Sequence, residues 1–244
     1  MRWLTLTYSS NANFIPPTIW TLIEILRQPQ LSEHLTRIIT EYRSPKSGTY
    51  DVDGIAALPL MKSLQEEISR LRVAQYMAYN NDSSDIVLDQ RSSLPKGCTA
   101  IAFSQDFALN AELWASARPR VVEKPLEEFW AERFLVPENP NATASSKQRK
   151  SKNGVETGKF SMEGLEQLAP AFGNEHAIEL GRKYTEAMQT ATLAVLLSEF
   201  EFELSAPDAA DVAMPRLREV AFGTVRPQTN IIVRIRKRKA GGKI

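Results

Sequence analysis

The sequence predicts an α+β fold, mainly helical with small antiparallel β-sheets. Three observations carry that reading: apolar stripes at helical spacing in the N-terminal third, short β-type runs bounded by turn clusters after them, and an alternating strand at the close. The 244 residues are 43% hydrophobic and 24% charged, which suits an ordinary soluble domain with an apolar core.

In "TIWTLIEILRQPQLSEHLTRIITEY", Ile19, Leu22, Ile23 and Leu26 share one helix face, and Leu35, Ile38, Ile39 and Tyr42 share a second. Pro29 separates the two helices. "SPKSGTYDVDG" reads as a loop. Leu60, Leu64, Ile68 and Leu71 then place one stripe on a third helix carrying "EEISRLR". From Val73 to Phe103 the runs "IVLD" and "TAIAF", separated by "NNDSSD" and "SSLPKG", predict a small sheet. "NPNATASSKQRKSKNGVETG" is polar and rich in Lys, so a mobile loop is expected over about 137–158, with its basic run solvated. A last helix is expected from about Ala177 to Phe200, and "NIIVRIRKRK" ends the chain as a strand with a basic tail. No internal repeat is found, and residues 1–244 read as one domain.

Composition excludes several classes. Thirty Lys and Arg against twenty-nine Asp and Glu leave a formal charge of +1, so nothing favours nucleic acid or an anionic membrane as partner. Cys98 stands alone, which excludes an internal disulfide and a multi-cysteine zinc site and fits a reducing compartment. "RWLTLTY" is too short for a signal segment or a membrane span. A soluble, cytoplasmic protein is expected, with peripheral attachment to the endoplasmic reticulum as the alternative. His34 reads as a surface residue, and the sequon at Asn141 matters only in a secreted protein.

In "SLQEEISRLR", Glu67 and Arg70 stand three apart on one helix face, close enough for a charge-assisted pair. "LPKG", "FWAERF" with Arg133, and "FSMEGLEQLAPAFG" follow in that order and lead into a Gly-Arg helix. Together this order resembles the cytochrome P450 superfamily. Glu67 and Arg70 match its Glu-x-x-Arg motif, and Phe129, Arg133 and Phe134 match its aromatic-x-x-x-Arg-Phe motif. The resemblance implies that Glu67, Arg70 and Arg133 are a structural clamp, buried and mutually paired. "FSMEGLEQL" and the ending "AFGTVRPQTNIIVRIRKR" are similar to fungal pathway members and imply a terminal β-hairpin. Ala12, Asn13, Pro16 and Trp20 match the central helix of the branch that includes prostacyclin synthase and sterol 7α-hydroxylase. The match covers the C-terminal half of the family. It implies a truncated P450-like fold in which the preceding helices and membrane anchor are absent.

The family's haem loop reads Phe-Gly-Gly-Gly-x-Arg-x-Cys-Pro-Gly-Arg. Phe172, Gly173, Gly181 and Arg182 match its ends. Between them Asn174 and Glu175 replace glycines, Ala177 the arginine, Glu179 the cysteine and Leu180 the proline. A carboxylate is a harder and weaker donor to iron than a thiolate. These departures lead to the expectation of no haem and no other cofactor or metal.

Glu179 and His176 are the candidate catalytic residues, and with Glu175 they form a carboxylate-imidazole cluster at a helix start. The alternative is simple helix electrostatics, in which each acid facing the N-terminal dipole adds roughly 0.3 to 1 kcal/mol. Asn11 and Asn13 are candidates for substrate binding through their amides, with helix capping before Pro16 as the alternative. Tyr76 and Met77 fall at the substrate-contacting turn that the resemblance implies, although an aromatic and a Met there are more often core. The expected function is a cofactor-independent cyclase that closes a ring by a Diels-Alder addition. A shaped apolar cavity and a donor polarising a carbonyl would suffice for it. The substrate class, a hydrophobic terpenoid or polyketide of fungal natural-product biosynthesis, is implied by the resemblance alone. A non-catalytic binding or partner module and a residual monooxygenase are the alternatives. A homodimer is expected to bury the face of the central helix that the missing half leaves bare.

Overall fold

A computed structural model describes residues 2–88, 90–137, 158–166, 168, 175–217 and 223–238. The first apolar stripe forms α1 (Arg2–Leu26), which carries Pro16 and Pro17 inside it. Each proline removes one donor from the helix ladder. Just after them, Thr18 and Thr21 add side-chain bonds to the carbonyls of Phe14 and Pro17, at 2.6 and 2.8 Å. α2 (Pro29–Glu41) opens on the expected proline, whose fixed φ and missing N–H suit a first helical turn.

His34 corrects its reading as a surface residue: it lies on the buried face of α2 between Leu31 and Leu35 and is only 6% exposed. Burial, and then the nearby Arg37, hold its imidazole below the ordinary range. The segment expected to be a loop also holds a further helix, α3 (Val52–Ala57). Asp51 caps it by accepting from the Gly54 N–H at 2.9 Å. The turn before it depends on Gly48 at φ 71°, a conformation few other residues adopt.

α4 (Pro59–Arg72) buries Leu60, Met61, Leu64, Ile68 and Leu71, the stripe its spacing predicts. The chain then continues through β1 (Val73–Ala74), β2 (Tyr76–Asn80), β3 (Ile86–Val87), β4 (Ser93–Leu94) and β5 (Thr99–Phe103). α5 (Ser104–Ala108), α6 (Ala111–Ala117) and a short 3₁₀ turn at Pro119–Val122 lead to β6 (Leu135–Val136). After β7 (Lys159–Phe160) come α7 (Glu175–Glu199), β8 (Phe200–Leu204), α8 (Pro207–Val212), β9 (Gly223–Thr224) and β10 (Val233–Lys237). Most of the loop expected over 137–158, positions 138–157 with Asn141, lies outside the described residues.

The architecture is mixed α and β, as the sequence predicts, with no closed barrel among the described residues. Among the described residues the small antiparallel sheets are five two-stranded pairs: β1 with β9, β2 with β5, β3 with β4, β6 with β7 and β8 with β10. The chain's ending is therefore not a hairpin closed on itself. β10 pairs with β8, from Val233 opposite Leu204 to Lys237 opposite Phe200, while β9 pairs with β1.

α7 packs on α1, α2 and α3, and Ile25, Leu35, Ile39, Ile55, Leu64, Leu193 and Leu197 join in one apolar cluster there. A second cluster gathers Leu71, Trp114, Leu126, Phe134 and Leu165 on the other side of α4. α4 is the shared wall, which places its polar residues at the centre of the fold. No helix among the described residues is long and apolar enough to cross a membrane.

Candidate functional site

The centre of α4 carries Glu67, a carboxylate with no exposed surface. Both its oxygens are engaged by Arg70 one turn on, from Nε and Nη2, each at 2.8 Å. Oε1 also accepts from Arg133 Nε at 2.9 Å and from the Trp130 backbone N–H at 3.0 Å. Arg133 uses its remaining N–H groups on the carbonyls of Val121, Lys124, Pro125 and Glu128, and Arg70 donates to the Ala108 carbonyl. The structure thus brings Glu67, Arg70 and Arg133 together, with the segment from 121 to 134 wrapped around one guanidinium. Trp130 lies beneath Arg133, with its ring centroid 5.4 Å from the guanidinium carbon.

Two opposed effects set the state of this group. Burial pushes the Glu67 carboxyl up, but Arg70 and Arg133 outweigh it and hold it below the ordinary range. Burial likewise lowers Arg133, against the pull of Glu67. Glu67 is therefore an ionised, fully satisfied anchor with no proton to trade.

α4 also fixes α7. Glu66 pairs with Arg182 and Gln65 donates to Thr190 Oγ1 at 3.2 Å, so consecutive α4 residues hold two points along the partner helix. Arg182 is tied in turn to Glu186 at 2.7 Å. Helical backbone is described from Glu175 onward, so Glu175, His176 and Glu179 stand on α7 itself. Positions 175 and 179, one turn apart, share a face. Asn11 and Asn13 stand on α1, which packs on α7. The side chains of Asn11, Asn13, Met77, Glu175, His176 and Glu179 lie outside the described residues.

Tyr76 and Met77 open strand β2 rather than a turn, opposite Phe103 and Ala102 of β5. Tyr76 is 53% exposed, which removes core packing as its explanation. It shares one face of the pair with Phe103 and Ile101, and that face is open to solvent.

A second polar centre goes unseen in the sequence reading. Glu24, buried on α1, pairs with Arg72 at the end of α4 and with Arg27 Nη1 at 2.6 Å. Arg72 lies over the Trp20 ring at 4.7 Å, and the Trp20 indole donates to the Val225 carbonyl at 2.8 Å. A signal was present: Glu24 stands between Ile23 and Ile25, one turn past Trp20, on a stripe that is otherwise apolar.

No family model matches the chain. Along 97% of its length it is 28% identical to cytochrome P450 monooxygenase fsoE of Humicola fuscoatra and 25% identical to cytochrome P450 monooxygenase efuG of Hormonema carpetanum. Over 95% of its length it is 25% identical to the 5-beta-cholestane-3-alpha,7-alpha-diol 12-alpha-hydroxylase of Sus scrofa. The chain spans less than half of these relatives, 42% to 44% of their length.

These relatives correct the expectation of no cofactor, because proteins named cytochrome P450 monooxygenase are haem-dependent and resemble the chain nearly end to end. Positions 171–174, and the side chains from 175 to 181, lie outside the described residues. Cys98 is exposed at the end of the β2–β5 pair, where its carbonyl accepts from the Asn81 N–H at 3.0 Å. Cys98 is the chain's one cysteine, and no chemical step is assigned to a haem iron.

Proposed function

We propose, starting from the chain's relationship to the cytochrome P450 superfamily at low identity, that it closes a ring in a hydrophobic intermediate of natural-product biosynthesis. The intermediate is a terpenoid or polyketide, the reaction a non-redox [4+2] addition, and residues 1–244 act as one domain in a cytoplasmic setting. The observation that supports the reading is the double tie from α4 to α7, through Glu66 to Arg182 and Gln65 to Thr190. It fixes the helix carrying Glu175, His176 and Glu179 to the wall anchored by the buried Glu67 clamp. A rigid frame of this kind suits a reaction whose barrier falls mainly through holding one reactive conformer.

In that reaction two carbon–carbon σ bonds form and one new π bond remains, at the expense of three π bonds. No atom enters or leaves, so the product is an isomer of the substrate. His176 would donate to the carbonyl of the dienophile, Glu179 would orient that imidazole, and the amides of Asn11 and Asn13 would hold further oxygens. Tyr76, Met77 and Glu175 would border the substrate. Ile15 and Ile19, 42% and 52% exposed one turn apart on α1, would form part of a homodimer face.

The test is the mass of the product formed when purified protein meets a synthetic triene ketone that closes slowly unaided. An isomer formed faster than in buffer supports ring closure. A product heavier by one oxygen, in the presence of haem and reductant, favours the activity named for the relatives. No product above background removes both.

A further inference from the structure

Away from the α4–α7 frame, a cavity of about 410 Å³ opens between the end of α1, the end of α4, the segment at 127–129 and the stretch after α8. Its volume falls within the roughly 300–1,000 Å³ of small-molecule sites. Phe129, Met214, Pro215 and Leu217 give it an apolar wall, and Arg72 stands at its polar side. Arg72 is only 3% exposed and its charge is already matched by Glu24. Its Nε–H has no hydrogen-bond partner among the described residues. A buried donor left unpaired is costly, so an acceptor supplied from the cavity would be favoured.

We propose that this cavity binds a small, uncharged, largely apolar molecule bearing one acceptor oxygen, a ketone or an ester, with that oxygen taking the Arg72 Nε–H. An anion fits poorly: Arg27 is engaged by Glu24 and Asp211, and Asp211, Glu127 and Glu128 line the same cavity. A cation would meet Arg27 and Arg72. Nε is covered in this structure, and Met214 Sδ accepts from the neighbouring Arg72 Nη2 at 3.5 Å, so the ligand oxygen reaches Nε only once that thioether moves. An unbranched thioether has the rotamers to do so, and the weak sulfur acceptor it withdraws is exchanged for an oxygen. The site lies roughly 20 Å along α1 from Asn13 at 1.5 Å per residue, so it does not depend on the ring closure proposed above.

The experiment titrates the full chain with benzylacetone and with its carboxylate counterpart hydrocinnamate, followed by ligand-observed NMR. Saturable binding of the ketone is expected, with the carboxylate about tenfold weaker or not bound. Leu217→Trp, which fills the cavity from a half-buried position, is expected to abolish ketone binding without altering the fold. Arg72→Lys keeps the charge opposite Glu24 but loses Nε, and is expected to weaken the ketone about fivefold. If that variant unfolds, Leu217→Trp decides alone. Absence of saturable ketone binding, equal affinity for the two probes, unchanged binding in Leu217→Trp, or unchanged ketone binding in a folded Arg72→Lys would overturn the proposal.

Discussion

Glu67 Oε1 accepts from Arg133 Nε at 2.9 Å across 66 positions of sequence, and neither side chain has any exposed surface. Each guanidinium at this carboxylate depends on the one negative charge they share. Glu67→Gln should therefore leave Arg70 and Arg133 buried without it, and a loss of about 3–5 kcal/mol is expected in urea unfolding. A loss below about 1 kcal/mol would mean that the clamp does not hold the fold together.

The same group sets an acid dependence. Burial raises the carboxyl, Arg70 and Arg133 outweigh it, and the folded value ends below the unfolded one of about 4.3. The unfolded chain then binds this proton more readily than the folded one. The stabilisation is full above about pH 4.3 and is lost as pH falls through the folded value. Unfolding measured from pH 6 down to pH 3 should show an acid slope in the native protein that Glu67→Gln partly lacks; equal slopes would contradict the assignment.

Arg72 and Glu24 offer a test by paired substitution. Arg72→Met leaves a buried carboxylate held by Arg27 alone, and about 3 kcal/mol should be lost. Adding Glu24→Met removes the stranded charge, so the double variant should be more stable than Arg72→Met. Additive losses would show that the two side chains are not coupled.

Ile19 is exposed by 52% on α1, one turn from Ile15. Light scattering at micromolar concentration is expected to report a dimer for the native chain and a monomer for Ile19→Glu. A native monomer would remove the homodimer.

The helices were legible because their apolar residues recur at the helical period: Leu35 and Ile39 on α2, and Leu64, Ile68 and Leu71 on α4, are all buried. α3, with six residues, is too short to display a period, and only Asp51 before it hints at a cap. The partner of β10 was not legible, because alternation marks a strand without naming what it pairs with. Its partner positions on β8 lie 29 to 37 earlier in the chain, from Leu204 opposite Val233 to Phe200 opposite Lys237. His34 was misread because a lone polar residue beside Leu31 and Leu35 does not announce which side of the stripe boundary it falls on. The spacing of Glu67, Arg70 and Arg133 pointed to their meeting, whereas Glu24 and Arg72 belong to no motif and emerged only from packing. The cofactor expectation rested on positions 174–180 alone, and relatives spanning 97% of the chain overturned it.

The most direct measurement for the proposed ring closure is its first-order rate constant with a synthetic triene ketone, in native protein and in Glu179→Gln. The native protein should exceed the uncatalysed rate and yield an isomeric product, and the variant should be slower by at least about tenfold while unfolding at the same temperature. A native rate equal to that in buffer, or a variant as fast as the native protein, would contradict it.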